Sequence, residues 1–319
     1  MSFSFIRYNR LMPVSISRRA LLFAAPAVLA AASRKPLKIS VFSKHLQFVK
    51  DAELAETARD IGCAGIDLTV RKGGHVDPKD VATELPRLVE LIRAKGMEVP
   101  MVTTEISQVN PEAEAVLKAC AKLGIRYYRW GGLKYTDASS PQEQLAAWKP
   151  KIRALADLNQ KLGMCGIYHT HSGAGQLGAS IWDLHILFEG MSNEAIGVNY
   201  DIAHATIEGG LGGWIATTKL TGAGSMKGLA IKDFVWMKGP KGWEAKWVPL
   251  GEGMVKFPQF FALLAKTNFN GPVQIHYEYP LGGADKGNST LTMDRNKVLD
   301  AMKKDVVLLE RWLTEAGLA

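Results

Sequence analysis

The chain has 319 residues, of which 47% are hydrophobic, 22% charged and 8% aromatic, and this composition excludes a largely disordered protein. No apolar stretch reaches the roughly 18 residues that indicate a membrane-spanning helix. The formal net charge is +8, but residues 1–32 carry four arginines and no acid, so 35 basic residues face 31 acidic residues in the remainder, which gives no support to nucleic-acid binding.

The first 32 residues have the pattern of an export signal. Arg18 and Arg19 precede a short apolar run that ends in the small residues of segment 30–32. Adjacent arginines at this place are typical of the twin-arginine type. We therefore predict that residues 1–32 are removed, that the mature domain is 33–319, and that the protein is periplasmic or otherwise extracytoplasmic, with no membrane span after signal removal. An uncleaved amphipathic tail is the alternative.

The remainder alternates short apolar runs with helical patterns, and the runs recur about every 34 residues. The eight predicted strands are Lys38–Phe42, Gly65–Val70, Glu98–Thr103, Tyr127–Trp130, Met164–Tyr168, Ile196–Asp201, Gly228–Lys232 and Val273–Glu278. The clearest helical patterns between them are Ala52–Ile61, Leu85–Lys95, Glu112–Leu123, Pro141–Leu162 and Phe257–Thr267. Eight such units predict an α/β protein with a single (β/α)8 TIM barrel, and an open doubly wound sheet is the alternative.

Histidines concentrate where the predicted strands end. Only His185 lies inside a helical stretch. The other six are His45, His75, His169, His171, His204 and His276. Because active sites of TIM barrels lie at the C-terminal ends of the strands, these positions predict a functional site at one mouth of the barrel.

Acidic, basic and aromatic residues accompany the histidines. The set comprises Arg71, Glu105, Trp130, Asp201, Lys232 and Glu278. Imidazoles and carboxylates together suit Zn, Mn, Fe or Co and do not select among them. Three alternatives stay open: Asp201 caps the following helix, Lys232 and Asp233 form a solvent-facing ion pair, and Trp130 packs in the core instead of stacking on a sugar.

The motifs at these strand ends resemble those of the xylose isomerase-like TIM-barrel superfamily, the sugar phosphate isomerase/epimerase group. The resemblance covers roughly residues 37–315. The matching motifs are Lys44–Gln47, Asp67–Arg71 with Gly74-His75, Tyr168–His171, Asp201 with His204, Lys232-Asp233, Pro249–Gly253, and Gly271-Pro272 with Glu278-Tyr279.

The resemblance implies a divalent metal, Mn, Co, Zn or Mg, held by His169, Asp201 and Glu278. The family generally takes a carboxylate from strand five and a histidine from strand seven, where this chain has His169 and Ala230. Because two of the four family ligands are changed in type, weak or absent metal binding is the alternative.

The family chemistry implies proton transfer next to a carbonyl of a free or oxidised sugar or a cyclitol. In this interpretation Glu278 removes the proton, His171 or His204 returns it, and Lys232 stabilises the developing oxyanion. The residues expected to bind substrate are His45, Arg71, His75, Glu105, Trp130 and His276. The expected partner is a small carbohydrate, without nucleic acid, and a homo-oligomer is left open.

Three other functions compete with this interpretation. A sugar lyase or dehydratase would use the same enediolate step. A non-catalytic sugar-binding barrel would account for the changed ligand positions. The DNA-repair endonuclease branch of the superfamily is opposed by the export signal and by the mild charge excess of residues 33–319.

Overall fold

The computed structural model describes residues 35–240 and 242–319, and the predicted export signal lies outside them. Residues 36–319 form one unit, in which eight parallel strands close into a barrel. These strands are β1 (Ile39–Phe42), β2 (Gly65–Thr69), β3 (Glu98–Thr103), β4 (Tyr127–Trp130), β5 (Cys165–His169), β6 (Ile196–Asp201), β7 (Met226–Ile231) and β10 (Val273–Ile275). The predicted (β/α)8 barrel is therefore confirmed.

Barrel strands that follow one another along the chain also pair with one another, and β10 closes the ring between β7 and β1. The closing registers place Val273 beside Ile39 on one side and beside Leu229 on the other. The prediction continued the last strand to residue 278, whereas the ladder ends with the His276 N–H, which donates to the Ile231 carbonyl at 2.9 Å. Residues 276–278 therefore stand above the end of the barrel.

Nine α-helices lie within the part of the chain that the structure describes. They are α1 (Asp51–Asp60), α2 (Val81–Ala94), α3 (Pro111–Lys122), α4 (Pro141–Leu162), α5 (Trp182–Phe188), α6 (Ile202–Gly209), α7 (Gly213–Gly222), α8 (Phe257–Leu264) and α9 (Arg295–Glu315). A capping box of Ser140 and Glu143 begins α4, and Gly163, with φ +67°, ends it in the left-handed conformation. None of the described helices has the length and apolar character needed to cross a bilayer.

The main apolar core lies between the strands and the surrounding helices. A small second cluster of Met101, Cys165 and Ile167 is separate from it, with Tyr127 packed alongside. Alternation along the strands sends these side chains into the barrel interior. His169 lies on the same inward face of β5 as Cys165 and Ile167, two positions closer to the C-terminal end of the strand than Ile167.

An antiparallel hairpin leaves the barrel directly after β7. Its strands are β8 (Asp233–Gly239) and β9 (Gly242–Val248), in a region that the sequence analysis left as a loop. Asp233 fixes the base of this hairpin, because its Oδ1 accepts from Val255 N–H at 3.1 Å and its Oδ2 from Gly253 N–H at 3.0 Å and Gly251 N–H at 3.1 Å. Lys232 and Asp233 are both buried, so the alternative of a solvent-facing pair is wrong.

Candidate active site at the barrel mouth

A layer of buried amides supports the mouth of the barrel. The Gln274 side-chain amide donates to Asn199 Oδ1 at 3.1 Å, and Asn199 Nδ2 lies 3.4 Å from Nδ1 of His169. Gly228 on the intervening strand leaves room for this pair, because a Cβ there would lie 2.8 Å from Asn199 Oδ1. The amides therefore connect β6 with β10 directly beneath the histidines.

Asp201 serves both of the roles that the sequence left open. Its Oδ1 accepts from the N–H groups of Ala203 at 3.0 Å and His204 at 3.1 Å, which caps α6. Its Oδ2 lies 3.1 Å from Nε2 of His169 and 3.3 Å from Nζ of Lys232. Burial raises the pKa of Asp201, but Lys232, the neighbouring histidines and the His204 N–H together outweigh burial and lower it.

Lys232 stands at the centre of the cluster and is only 3% exposed. Its Nζ lies 2.8 Å from Nε2 of His204, 3.0 Å from Oε2 of Glu278 and 3.3 Å from Oδ2 of Asp201. The ring of Trp247, carried by β9, covers the same ammonium at 4.2 Å from the ring centroid. One cation therefore faces acceptors from three barrel segments.

Glu278 is the carboxylate of this cluster that solvent can reach, with a side chain 23% exposed where that of Asp201 is fully buried. Its second oxygen, Oε1, lies 3.7 Å from Nδ1 of His276. Burial alone would raise the pKa of Glu278, but Lys232 and the neighbouring imidazole of His276 together hold it well below its usual range. Glu278 is therefore ionised at neutral pH and reachable from the mouth.

The imidazoles of the mouth form a stack of neutral rings. The rings of His169 and His171 are stacked with centroids 4.6 Å apart, and those of His171 and His204 are 5.2 Å apart. Burial, with the charge of Arg129 or Lys232, lowers the pKa of His171 to about 4 and that of His204 to about 3. Each ring therefore offers a lone pair at neutral pH.

These imidazoles fit a divalent metal. One ligand atom each from His169, His171 and His204 lies within 4.8 Å of the others. Neutral imidazole suits zinc, copper, iron or nickel, whereas magnesium prefers oxygen ligands. The carboxylates of Asp201 and Glu278 face Lys232, so the donor set of this chain favours a transition metal over magnesium.

The structure places the other predicted substrate-binding residues in different environments. His276 and Arg71 flank the cluster and both contact Phe42. The Phe42 ring stacks on the His276 ring with centroids 4.8 Å apart, and the Arg71 guanidinium carbon lies 5.8 Å from the Phe42 ring centroid. The two ring nitrogens of His45 instead contact backbone atoms, the carbonyl of residue 284 at 3.1 Å and the N–H of residue 277 at 3.2 Å. His45 therefore braces the end of β1 against the chain that follows β10.

Three predicted residues lie apart from the central cluster. His75 contacts the hydroxyl of Thr69 through Nδ1 at 3.1 Å. Glu105 is exposed beyond the end of β3. Trp130 packs against Tyr168 at 4.7 Å, in the layer between the barrel and the helices. Packing in the core is thus the alternative for Trp130 that the geometry matches.

Arg129 is a residue of the mouth that the sequence analysis missed. Its Nη2 lies 3.5 Å from Nε2 of His171. Strand alternation could have found it, because Trp130 points outward beside Tyr168 and its neighbour Arg129 must then point inward. The sequence analysis assigned no role to Trp247, because it did not predict the hairpin that brings this ring over Lys232.

The sequence profile of a family described as xylose isomerase-like TIM barrel matches residues 55–298. No curated protein matches this sequence significantly.

Solved structures resemble the barrel at low sequence identity. A D-tagatose 3-epimerase-like protein is 14% identical with a TM-score of 0.65, over 88% of this chain and 98% of that one. A xylose isomerase-like TIM-barrel protein from Mycobacterium smegmatis, in complex with magnesium, is 15% identical with a TM-score of 0.62, over 89% and 98%. The probable 3-DHS dehydratase AsbF from Bacillus anthracis is 15% identical with a TM-score of 0.62, over 86% and 99%. At these identities the likeness concerns the fold.

Proposed function

Because the chain belongs to the xylose isomerase-like TIM-barrel family, we propose that it is an enzyme of the sugar isomerase and epimerase kind. The proposed reaction moves a proton next to a carbonyl of a free or oxidised sugar or a cyclitol. The observation that carries the proposal is the contact of Lys232 with Glu278, Asp201 and His204 at the barrel mouth. The epimerases and the dehydratase among the similar folds support this class of chemistry.

Glu278 is the proposed proton acceptor, because it is ionised and partly exposed. The carboxylate takes the proton from the carbon beside the carbonyl. The electron pair of the broken C–H bond forms the C=C bond of an enediolate, and the carbonyl oxygen gains the negative charge. Lys232 stabilises this charge from within the cluster.

His171 and His204 are the proposed second proton carriers. A neutral imidazole accepts a proton at one ring nitrogen and donates one from the other, so either ring can pass a proton between the adjacent oxygens or back to carbon. Asp201 and Asn199 hold His169, and through the stacked rings they position His171.

A metal held by His169, His171 and His204, or by the originally predicted set of His169, Asp201 and Glu278, would polarise the substrate carbonyl as a Lewis acid. The roles proposed for Glu278 and Lys232 do not depend on an ion at the three histidines. The role of His171 and His204 as proton carriers applies to the site without an ion there, because a ring nitrogen that binds a metal has no lone pair left for a proton. Export through the twin-arginine signal stays a proposal supported by residues 1–32 alone.

Solvent-proton exchange tests the proposed function. We expect the protein to incorporate deuterium from heavy water at the carbon next to the carbonyl of one member of a panel of ketoses, aldoses, uronates and cyclitol ketones. Measured by NMR with and without Mn, Co or Zn, Glu278→Gln should reduce this exchange at least a hundredfold. The control is Glu315→Gln, which changes an exposed acid at the end of α9. Full exchange in Glu278→Gln would contradict the role of Glu278.

A second candidate function is sugar binding without turnover. It is favoured by Lys232, whose three acceptors are all supplied by the protein. A sugar that binds while no panel member exchanges a proton would support this candidate. If exchange occurs, the identity of the product separates isomerisation and epimerisation from elimination, because elimination releases water and leaves a dehydrated sugar.

A further inference from the structure

Among the residues that the structure describes, four cationic side chains surround the mouth of the barrel, and one of the four is paired with carboxylates. Lys232 contacts both Asp201 and Glu278. In residues 35–240 and 242–319, no carboxylate lies within 4.0 Å of the cationic atoms of the other three, which are Lys44, Arg71 and Arg129. The mouth therefore carries an excess of positive charge.

The charges of the three unpaired cations act on one another. Burial lowers the pKa of Lys44, Glu278 raises it, and the positive charges of Lys232, Arg71 and Arg129 lower it further. Arg129 also reaches the imidazole stack, with its Nη2 3.5 Å from Nε2 of His171. These residues follow or end β1, β2 and β4, so they occupy one side of the mouth, and Lys232 and Glu278 occupy the other.

Asp67 offsets this charge only in part. It lies beneath the arginines on β2, where both of its oxygens accept the Thr103 hydroxyl at 2.9 Å. Burial raises the pKa of Asp67 to about 7, against the opposing effects of Thr103, Arg129 and Arg71. The carboxyl is thus bound to a neutral hydroxyl and contacts neither guanidinium as an ion pair.

A half-buried guanidinium without an acid is costly unless an anion arrives from outside. Arginine presents planar pairs of N–H donors that match the two oxygens of a carboxylate, and it also binds phosphate. Phosphorylated sugars are less natural outside the cytoplasm, so the predicted export favours a carboxylate.

We propose that the substrate is a sugar derivative that carries an oxyanion group, preferably a carboxylate. Lys44, Arg71 and Arg129 bind this group on one side of the mouth. That the bound molecule is then converted rests on the proposed function, whereas its binding through the anion does not. The anion orients the sugar so that its carbonyl end faces Glu278 and Lys232.

Calorimetric titration tests the inference independently of turnover. The probes are D-glucose, D-glucuronate and D-glucose 6-phosphate, with D-galactose and D-galacturonate as a second matched pair. We expect at least one acid to bind tenfold or more tightly than its neutral counterpart, and we expect this preference to weaken as salt is raised from 50 to 300 mM. Preference for the phosphate alone would identify phosphate as the bound oxyanion.

Arginine variants locate the anion. Arg129→Gln and Arg71→Gln should each reduce the preference at least fivefold, whereas Arg129→Lys keeps the charge and should retain part of it. The control is Arg153→Gln, an exposed arginine of α4 that contacts the backbone of residues 189 and 190. Thermal unfolding of each variant shows that it is folded, and Arg71→Gln still tests the site if Arg129→Gln fails to fold.

The outcomes separate the two proposals. An acid preference without proton exchange would support the anion site and contradict the proposed catalysis. Exchange on neutral sugars without any acid or phosphate preference would support catalysis and overturn the anion site. Absence of preference in every pair, including absence of binding, would also overturn it.

Discussion

Removal of the Lys232 ammonium should destabilise the fold strongly and in a pH-dependent way. In Lys232→Met, the buried Asp201 and the partly buried Glu278 lose the cation that lies 3.3 and 3.0 Å from their oxygens. Breaking a buried ion pair by removing one partner costs about 3–5 kcal/mol. We expect a loss in this range in the free energy of unfolding at pH 8, measured by urea denaturation and circular dichroism.

The loss should be smaller at pH 5. In the wild type, burial raises the pKa values of Asp201 and Glu278, but Lys232, as the largest of several opposing influences, helps to hold both below their usual range. The resulting stabilisation is complete above the unfolded pKa values of about 4 and is lost as pH falls through the lower folded values. In Lys232→Met the largest influence that opposes burial is gone, so both folded pKa values rise, and the variant loses stability with increasing pH wherever they exceed the unfolded values. The difference between the two proteins therefore widens from pH 5 to pH 8.

Lys227→Met is the matched control, because Lys227 lies on β7, the strand that Lys232 directly follows. Lys227 pairs at 2.8 Å with Glu194, whose side chain is 67% exposed, and surface pairs of this kind contribute about 1 kcal/mol or less. Lys232→Met combined with Glu278→Gln should recover part of the lost stability, because one of the unpaired charges is removed. Equal losses in Lys232→Met and Lys227→Met at both pH values would refute the assignment of Lys232 as the central cation.

Two further predictions concern the metal and the last helix. The wild type should bind zinc in preference to magnesium. His171→Ala removes one of the three imidazoles, so it should weaken zinc binding, measured by calorimetry, at least tenfold. An unchanged zinc affinity in this variant would place the ion elsewhere. Burial raises the pKa of Asp305 on α9 to about 7, so the wild type loses stability as pH rises from about 4 to about 7. Asp305→Asn keeps an acceptor for the Leu250 N–H and cannot ionise. Measured by urea denaturation, its free energy of unfolding relative to that of the wild type should therefore rise by up to a few kcal/mol from pH 5 to pH 8. A difference between the two proteins that stays the same over this pH range would contradict the raised pKa.

The barrel could be predicted from the sequence because its strands and helices are marked by local signals. Buried strands read as short apolar runs, and Gly62, Gly96, Gly124 and Gly163 follow helical patterns with φ between +67° and +98°. A left-handed residue at a helix end is a local requirement, which is visible without knowledge of the tertiary structure. The eight strands and their order follow from these signals.

The partners within the site could not be predicted in the same way. Sequence placed Lys232, His204 and Glu278 at one mouth, but their mutual contact depends on rotamers and on strand register. The Asn199–Gln274 amide pair joins strands that are separated by β7, and no local pattern marks it. Trp130 and Arg129 illustrate how an error of one position changes a site prediction. Neighbouring residues of a strand point to opposite faces, so a shift of a single position assigns an outward-facing side chain to the barrel interior.

The hairpin between β7 and α8 was missed although it carries a signal. Gly239-Pro240 and Gly242 form a turn-like cluster between two tryptophan-containing runs. Several residues of both hairpin strands are exposed, and β9 interrupts its apolar residues with Glu244 and Lys246 instead of forming a continuous apolar run.

The single carboxylate of Asp233 has a consequence for how this barrel can diversify. It accepts hydrogen bonds from backbone N–H groups at both ends of the hairpin segment 234–250 and so holds the base of the hairpin together. Insertions or deletions near Gly239 would change the length of the hairpin without transmitting strain to β7 or α8. The length of the hairpin can therefore change during evolution while the barrel mouth beneath it stays the same.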